Sequence, residues 1–276
     1  VRRQPRCVMQ QDLTRASVID LVTRSLRASA ADPAEAALMG RFAETVIQRV
    51  EDRYLLRHTQ IPQLGAQLAD SFRWVRASAS DRALHVRVFR PTVKAHGYAV
   101  DGVVIESLMP DRPFIADTLK LWHRREGVVV HNSLNVMIKA AWEDGKLAAM
   151  DPADRGAEHI SYTRWFVTLP EGLSIEEAYQ GVTRRLTMVG RMTDDFHRMV
   201  RAVKDLSNDY EYLAKTTADD REACEEIRAF LDWLVEEHFL FMGLTVFTES
   251  ADGTLVRDAS RCLGTAQDED DAPQAN

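Results

Sequence analysis

No two of the 13 glycines in this 276-residue sequence lie closer than five residues. That spacing excludes Gly-x-Gly-x-x-Gly, whose close glycines let the phosphates of a dinucleotide approach the backbone. It also excludes the Gly-x-Ser-x-Gly nucleophile elbow. Gly97 and Gly102 have P-loop spacing, but Val103 follows them where phosphate binding needs a lysine. The eight histidines include no His-Glu-x-x-His and no pair four residues apart, so a helical zinc site has little support. Cysteine is scarce: Cys7, Cys224 and Cys262 are far apart and odd in number, which fits a reducing cytoplasm rather than a disulfide framework. No apolar run approaches ~18 residues, so no transmembrane helix is expected. The first residues, VRRQPRCVMQQDLT, are basic but lack the hydrophobic stretch of a secretory signal. A net charge of −7 argues against a nucleic-acid partner, which needs a clustered basic surface.

What is present is the patterning of a folded α+β chain. Residues 1–11 read as a loose tail. Asp12–Ser29 has helical spacing, with Leu13, Val18, Leu21, Val22 and Leu26 on one face. Pro33 opens a second helix carrying Ala37, Leu38, Phe42, Val46, Ile47 and Val50, and a third runs from about Pro62 to Ala77. The period then changes. Leu84, Val86 and Val88 alternate with His85, Arg87 and Phe89 until Pro91 stops the strand. Gly102–Leu108 is a second strand. Pro113 opens a helix to about Glu126, which Gly127 closes. Val128–Ile138 alternates, with Val128, Val130, Leu134, Val136 and Ile138 on one face, and Ile160–Leu169 is a further strand after a polar loop. Ser174, with Glu177 three residues on, forms a capping box for a long helix that reaches at least Val203. This order fits a small antiparallel sheet with two helices on one face, the ferredoxin-like arrangement.

The stretch Glu225–Phe247 reads as a helix running into a strand. Ile227, Phe230, Leu231, Leu234 and Val235 share a helical face; at ~1.5–3 kcal/mol each, their burial would give on the order of 10 kcal/mol before entropy. Asp219 and Asp220 suit the helix N-terminus. His238 falls on the apolar face and reads as a satisfied histidine at the helix end. From Phe239 to Phe247 no polar face remains, as in a strand buried on both sides. Asp252–Gly253 is a hairpin signal that pairs Leu244–Thr248 with Thr254–Ala259. The expected parts are a helical segment (1–80), an α+β domain (81–205), a helix and strand hairpin (206–264) and a disordered acidic tail (265–276).

Carboxylate pairs at Asp194–Asp195, Glu225–Glu226 and Glu236–Glu237 lie on charged helical faces and read as solvated surface. The segment Pro110–Asp117 joins a strand to a helix. Two prolines stiffen it, Asp111 and Arg112 project from it, and the amides of a helix start favour an anion. It reads either as a pocket for a small acid or amino acid, or as a well-capped helix start with Asp117 on its surface.

VRVFRPTVKAHGY (Val86–Tyr98), VVIESLMPDRPFIADTL (Val103–Leu119), HNSLNVMI (His131–Ile138) and Ile227–Phe247, in this order and spacing, resemble the N-terminal region of the large bacterial NAD-specific glutamate dehydrogenases. The resemblance covers about residues 84–264. It implies an ACT-like fold and a non-catalytic regulatory or assembly role in an enzyme that converts L-glutamate and NAD to 2-oxoglutarate and ammonia. The catalytic lysine segment and dinucleotide-binding domain of that family have no counterpart here. NAD would therefore be held by the implied catalytic domain, with no cofactor bound by this chain. The implied partners are that catalytic domain, other copies of the same chain, and an amino-acid effector at Asp111, Arg112 and Asp117. The alternative is a free-standing amino-acid-sensing module that binds a partner protein. A third reading is a purely structural spacer in a large oligomer.

Overall fold

A computed structural model describes residues 14–50, 60–78, 83–143, 146–150, 157–217 and 220–268. Cys7, Asp219, the expected N-terminal tail and the acidic residues after 268 lie outside the described residues. The chain is α+β and divides into two compact units, one within residues 1–111 and 116–183, the other within 112–115 and 184–276.

In the first unit, α1 (Arg15–Arg27), α2 (Pro33–Ile47) and α3 (Ile61–Ser78) form the expected helical segment. Thr14 and Asp32 cap α1 and α2, and Pro33 stands at the first turn, where its missing N–H costs nothing. The five strands are β1 (His85–Phe89), β2 (Val103–Pro110), β3 (Val129–Glu143), β4 (Lys146–Met150) and β5 (Glu158–Thr168), ordered β1-β2-β5-β3-β4. Every neighbouring pair is antiparallel. Strands β2 and β3 therefore run the same way with β5 between them. The helix that joins them, α4 (Ile115–Arg125), completes a split βαβ unit. Gly127, at φ 69°, ends α4 as expected, with the Val128 amide donating to the His123 carbonyl at 2.9 Å.

Helices α1–α3 pack on one face of the sheet. Phe42 and Phe72 meet at 5.8 Å between ring centroids, and Phe42 meets Tyr162 of β5 at 5.5 Å. Leu68, Leu108, Val136, Ile138, Ile160 and Leu147 fill the same core. On the opposite face His123 of α4 stacks on Trp165 of β5 at 4.6 Å.

Two features of the sheet differ from the sequence reading. Strand β4 falls in what reads as a polar loop; its Leu147 and Met150 join the core. The alternation read through Val128–Ile138 is broken by a bulge between Val130 and Asn132. The extra residue shifts the phase, so Val130 faces solvent while Val136 and Ile138 are buried.

The long helix α5 (Ile175–Thr216) starts on the expected capping box: Ser174 N donates to Glu177 Oε2 at 2.8 Å, and Glu177 N to Ser174 Oγ at 3.1 Å. Two of its glycines have opposite surroundings. A methyl group on Gly181 would stand 2.8 Å from Trp122 Nε1, so this glycine lets α5 approach α4, whereas one on Gly190 would meet nothing within 4 Å. Gly181→Ala should destabilise by ~1–3 kcal/mol through overpacking. Gly190→Ala should stabilise by up to ~1 kcal/mol through helix propensity. Thermal midpoints moving in the same direction for both would refute this contrast.

The second unit holds the remainder of α5, α6 (Arg221–Trp233), a π-helical turn (Leu234–His238) and two small ladders. The expected hairpin forms, as β7 (Phe247–Glu249) with β8 (Leu255–Arg257), around Gly253 at φ 84°. The second ladder pairs β6 (Gly243–Leu244) with β9 (Leu263–Gly264). The core is Met199, Val203, Leu231, Phe241 and Leu263.

The expected buried strand over Phe239–Phe247 is not there. Phe239, Leu240 and Met242 are exposed, Phe241 alone of the four is buried, and pairing begins at Gly243. Among the described residues no neighbouring strand flanks 239–242, so an all-apolar sequence does not make them a central strand. The helix face is also narrower than expected: Leu231 is buried and Leu234 and Val235 are half-buried, but Ile227 and Phe230 face solvent. His238 is exposed rather than on a buried face, and it stacks on Trp233. The first part of the expected acidic tail is ordered: Thr265–Gln267 is a 3₁₀ turn with Ala266 buried, because Asp195 of α5 accepts from Gly264 N at 2.9 Å.

Candidate functional site

The residues picked from the strand-to-helix turn are placed as follows. In the first unit, the Asp111 amide donates to the His159 carbonyl at 2.8 Å, while the side chain of Asp111 is exposed. Beside it lies a small open depression lined by Leu108, Met109, Pro110, Trp142, His159 and Ile160. Asp117 is exposed and pairs with Lys120 at 3.3 Å. In the second unit, Arg112 Nη1 donates to Thr193 Oγ1 at 2.9 Å, to the Gly190 carbonyl at 3.1 Å and to Asp194. Its guanidinium is thus engaged by α5. Phe114 has φ 73°, a conformation costly for a residue with a Cβ.

The densest polar constellation lies elsewhere, in the first unit, and the sequence reading did not find it. Arg87, Glu106 and Arg164 stand directly opposite one another on β1, β2 and β5. Period-2 alternation puts all three on the sheet face that α3 covers. Glu106 is fully buried. Its Oε1 accepts from Ser71 Oγ of α3 at 2.6 Å and from Tyr162 OH, and lies 3.4 Å from Arg164 Nε. Its Oε2 accepts from Arg87 Nε at 2.5 Å. Arg87 also reaches Asp70 of α3 at 2.8 Å, and its guanidinium lies between the rings of Trp74 and Phe89, at 4.9 and 4.5 Å. Arg164 continues to Gln67 at 3.2 Å and Tyr98 OH at 3.4 Å.

Two carboxylates and two guanidinium groups balance in charge, which is how charges are tolerated under a helix layer. Burial, and then the negative charge of Glu106, push the Tyr162 phenol well above its ordinary value, so Tyr162 stays a donor. Tyr98 is raised mainly by burial, against the pull of Arg164. Burial works most strongly against the charge on Arg164, but Glu106, Tyr162 and Tyr98 together outweigh it and raise its pKa. The cluster ties α3 to three adjacent strands. Its charged groups are paired with one another rather than presented to solvent.

On the other sheet face, His123 is buried with Nδ1 2.6 Å from the Leu119 carbonyl, and burial lowers its pKa. Its Nε2 and the Nε1 of Trp165 have no hydrogen-bond partner among the described residues. Among the described residues, no group of His, Cys, Asp and Glu could hold a metal ion, and no helix is long and apolar enough to cross a membrane.

The family model described as glutamate dehydrogenase, ACT1 domain, matches residues 42–186, more than half of the chain. The chain belongs to this glutamate dehydrogenase ACT1 family. The ACT1 match takes in the end of α2, all of α3, the whole five-stranded sheet, α4 and the start of α5. Every member of the buried charge cluster lies inside it. Two NAD-specific glutamate dehydrogenases are similar to the chain. That of Pseudomonas aeruginosa is 27% identical over 193 residues, which cover 65% of this chain and 11% of that protein. That of Halomonas elongata is 26% identical over 166 residues, covering 57% of this chain and 10% of that protein. The ACT1 chain thus corresponds to about a tenth of the length of these relatives.

The cluster was missed because each member is inconspicuous alone. Arg87 reads as a polar member of an alternating strand, and Glu106 and Arg164 are single charged residues within two other strands. A cue was available: a glutamate inside VVIESLM, a strand buried on both faces, needs a cationic partner.

Proposed function

We propose that this chain is a non-catalytic regulatory and assembly region, from the N-terminal part, of an NAD-dependent glutamate dehydrogenase. The reaction, L-glutamate and NAD to 2-oxoglutarate and ammonia, is carried by a domain other than this one. The observation that carries the reading is the family match over residues 42–186, supported by the names of the two relatives.

The residues present do not fit NAD. The glycines are too widely spaced for a dinucleotide turn. Gly102, of the pair with P-loop spacing, packs against the sheet instead: a Cβ there would stand 2.6 Å from the Phe166 ring and 2.8 Å from the Val167 carbonyl. Its smallness serves strand packing, not a phosphate.

Two measurements test the reading. The purified chain should show no glutamate-dependent reduction of NAD; turnover would overturn the non-catalytic assignment. As a regulatory element it should be stabilised by an amino acid at the turn that carries Asp111 and Asp117, Arg112 of the same turn being already engaged by Thr193 and Asp194. A ligand at a hundred times its Kd adds ~2.7 kcal/mol to stability. A thermal-shift series of L-amino acids at millimolar concentration should therefore give a rise that Asp111→Asn and Asp117→Asn reduce. No rise with any amino acid would refute the effector role.

A further inference from the structure

Helix α6 and the segment after it expose aromatic surface that the core of the second unit does not use. Phe230 is 57% exposed, Trp233 46%, Phe239 52% and Met242 55%. Phe230 stacks on Trp233 at 6.2 Å, and Trp233 on His238 at 5.0 Å. The stack orders these rings in advance, so covering them loses little side-chain freedom. An exposed stack of aromatic rings of this kind marks an interaction site, and tryptophan is a frequent anchor within one.

Charge decides what can cover it. Glu222 and Glu226 lie eight and four residues before Phe230, on the same solvent side of α6. The two arginines of α6 are engaged elsewhere, Arg221 with Glu225 at 2.9 Å and Arg228 with Asp232 at 3.5 Å. Two copies of this face meeting about a twofold axis would bring four carboxylates together, and like charges across an interface are costly. The complementary surface is therefore both cationic and apolar.

This chain carries such a surface. At the end of α4, Leu121 is 67% exposed, and Arg124 and Arg125, three and four residues on along the helix, are exposed as well; Val130, paired with Val167 on the sheet face that α4 packs on, is also exposed. Neither arginine has an ion pair among the described residues. We propose that the acidic aromatic face of α6 in one copy docks on the Leu121, Arg124, Arg125 and Val130 surface of a second copy. The contact is heterologous, so it closes a ring or extends a line rather than forming an isologous pair. It goes beyond the regulatory reading and does not depend on effector binding.

Sedimentation and light scattering of the full chain over a range of concentration and salt test this. Self-association that weakens at high salt is expected. Glu222→Lys with Glu226→Lys, and separately Arg124→Glu with Arg125→Glu, should each weaken it at least ~10-fold. Mixing the two double variants should restore association, because each then presents the charge the other lacks; a mere folding defect would not be rescued in this way. A wild-type chain that stays monomeric would overturn the proposal and leave the α6 face to a different occupant. Association unchanged by both reversals, or no rescue on mixing, would overturn it as well.

Discussion

Glu106→Ala should cost ~3–5 kcal/mol, because it leaves buried cations without their counter-charge. Glu106 is fully buried and receives Arg87, Ser71 and Tyr162, with Arg164 Nε 3.4 Å away. After its removal Asp70 alone would face two guanidinium groups, and the hydroxyls of Ser71 and Tyr162 would lose their acceptor. Glu106→Gln keeps the volume and one acceptor oxygen but not the charge, so it should fall between alanine and wild type. Replacing Arg87, Glu106 and Arg164 by Met, Leu and Met, with Asp70→Leu, Ser71→Ala and Tyr162→Phe to remove the buried groups that would lose their partners, is a different experiment. It removes the desolvation cost along with the pairing, so it should be far less harmful than Glu106→Ala, even neutral. Urea unfolding followed by circular dichroism gives the ordering. A Glu106→Ala cost below ~1 kcal/mol would mean that the charges are hydrated in solution and the cluster does not hold α3 to the sheet.

Gly264→Ala should release the end of the second unit without unfolding the first. Gly264 sits at φ 60°, and a Cβ there would lie 2.3 Å from the Met242 carbonyl oxygen. That oxygen accepts from Thr265 N at 2.9 Å, and Gly264 N itself donates to Asp195 at 2.9 Å. The methyl group cannot fit without moving β9 from β6, so these bonds and the burial of Leu263 are lost together. Backbone strain of ~1–3 kcal/mol and two hydrogen bonds at ~0.5–1.5 kcal/mol each give a penalty of ~2–6 kcal/mol. Hydrogen exchange should show lost protection over residues 241–268 and unchanged protection in β2 and β5. Full protection of Leu263–Thr265 in the variant would refute the assignment.

How legible the chain was depended on how local each signal is. The helices α1–α4, the capping box at Ser174, the closing Gly127 and the hairpin at Asp252–Gly253 follow from residues a few positions apart, and the structure contains them. Strand β4 was missed because five residues, KLAAM, carry too little alternation to stand out from a polar loop. The effector residues were chosen from one turn, yet a turn's sequence does not reveal that Arg112 is taken up by Thr193 and Asp194, some eighty residues away.

The amino-acid sequence by itself determined the α+β class, the order of helices and strands, the family resemblance and the lack of a dinucleotide-binding turn. These rest on periodicity, caps and glycine spacing, which act within a few residues of chain. Only the tertiary structure decided that Arg87, Glu106 and Arg164 share one row. That depends on strand register, and a shift of one residue would send each to the opposite face. Only it decided that Phe230, Trp233 and Phe239 face solvent, because an apolar stripe states what can be buried and not what covers it.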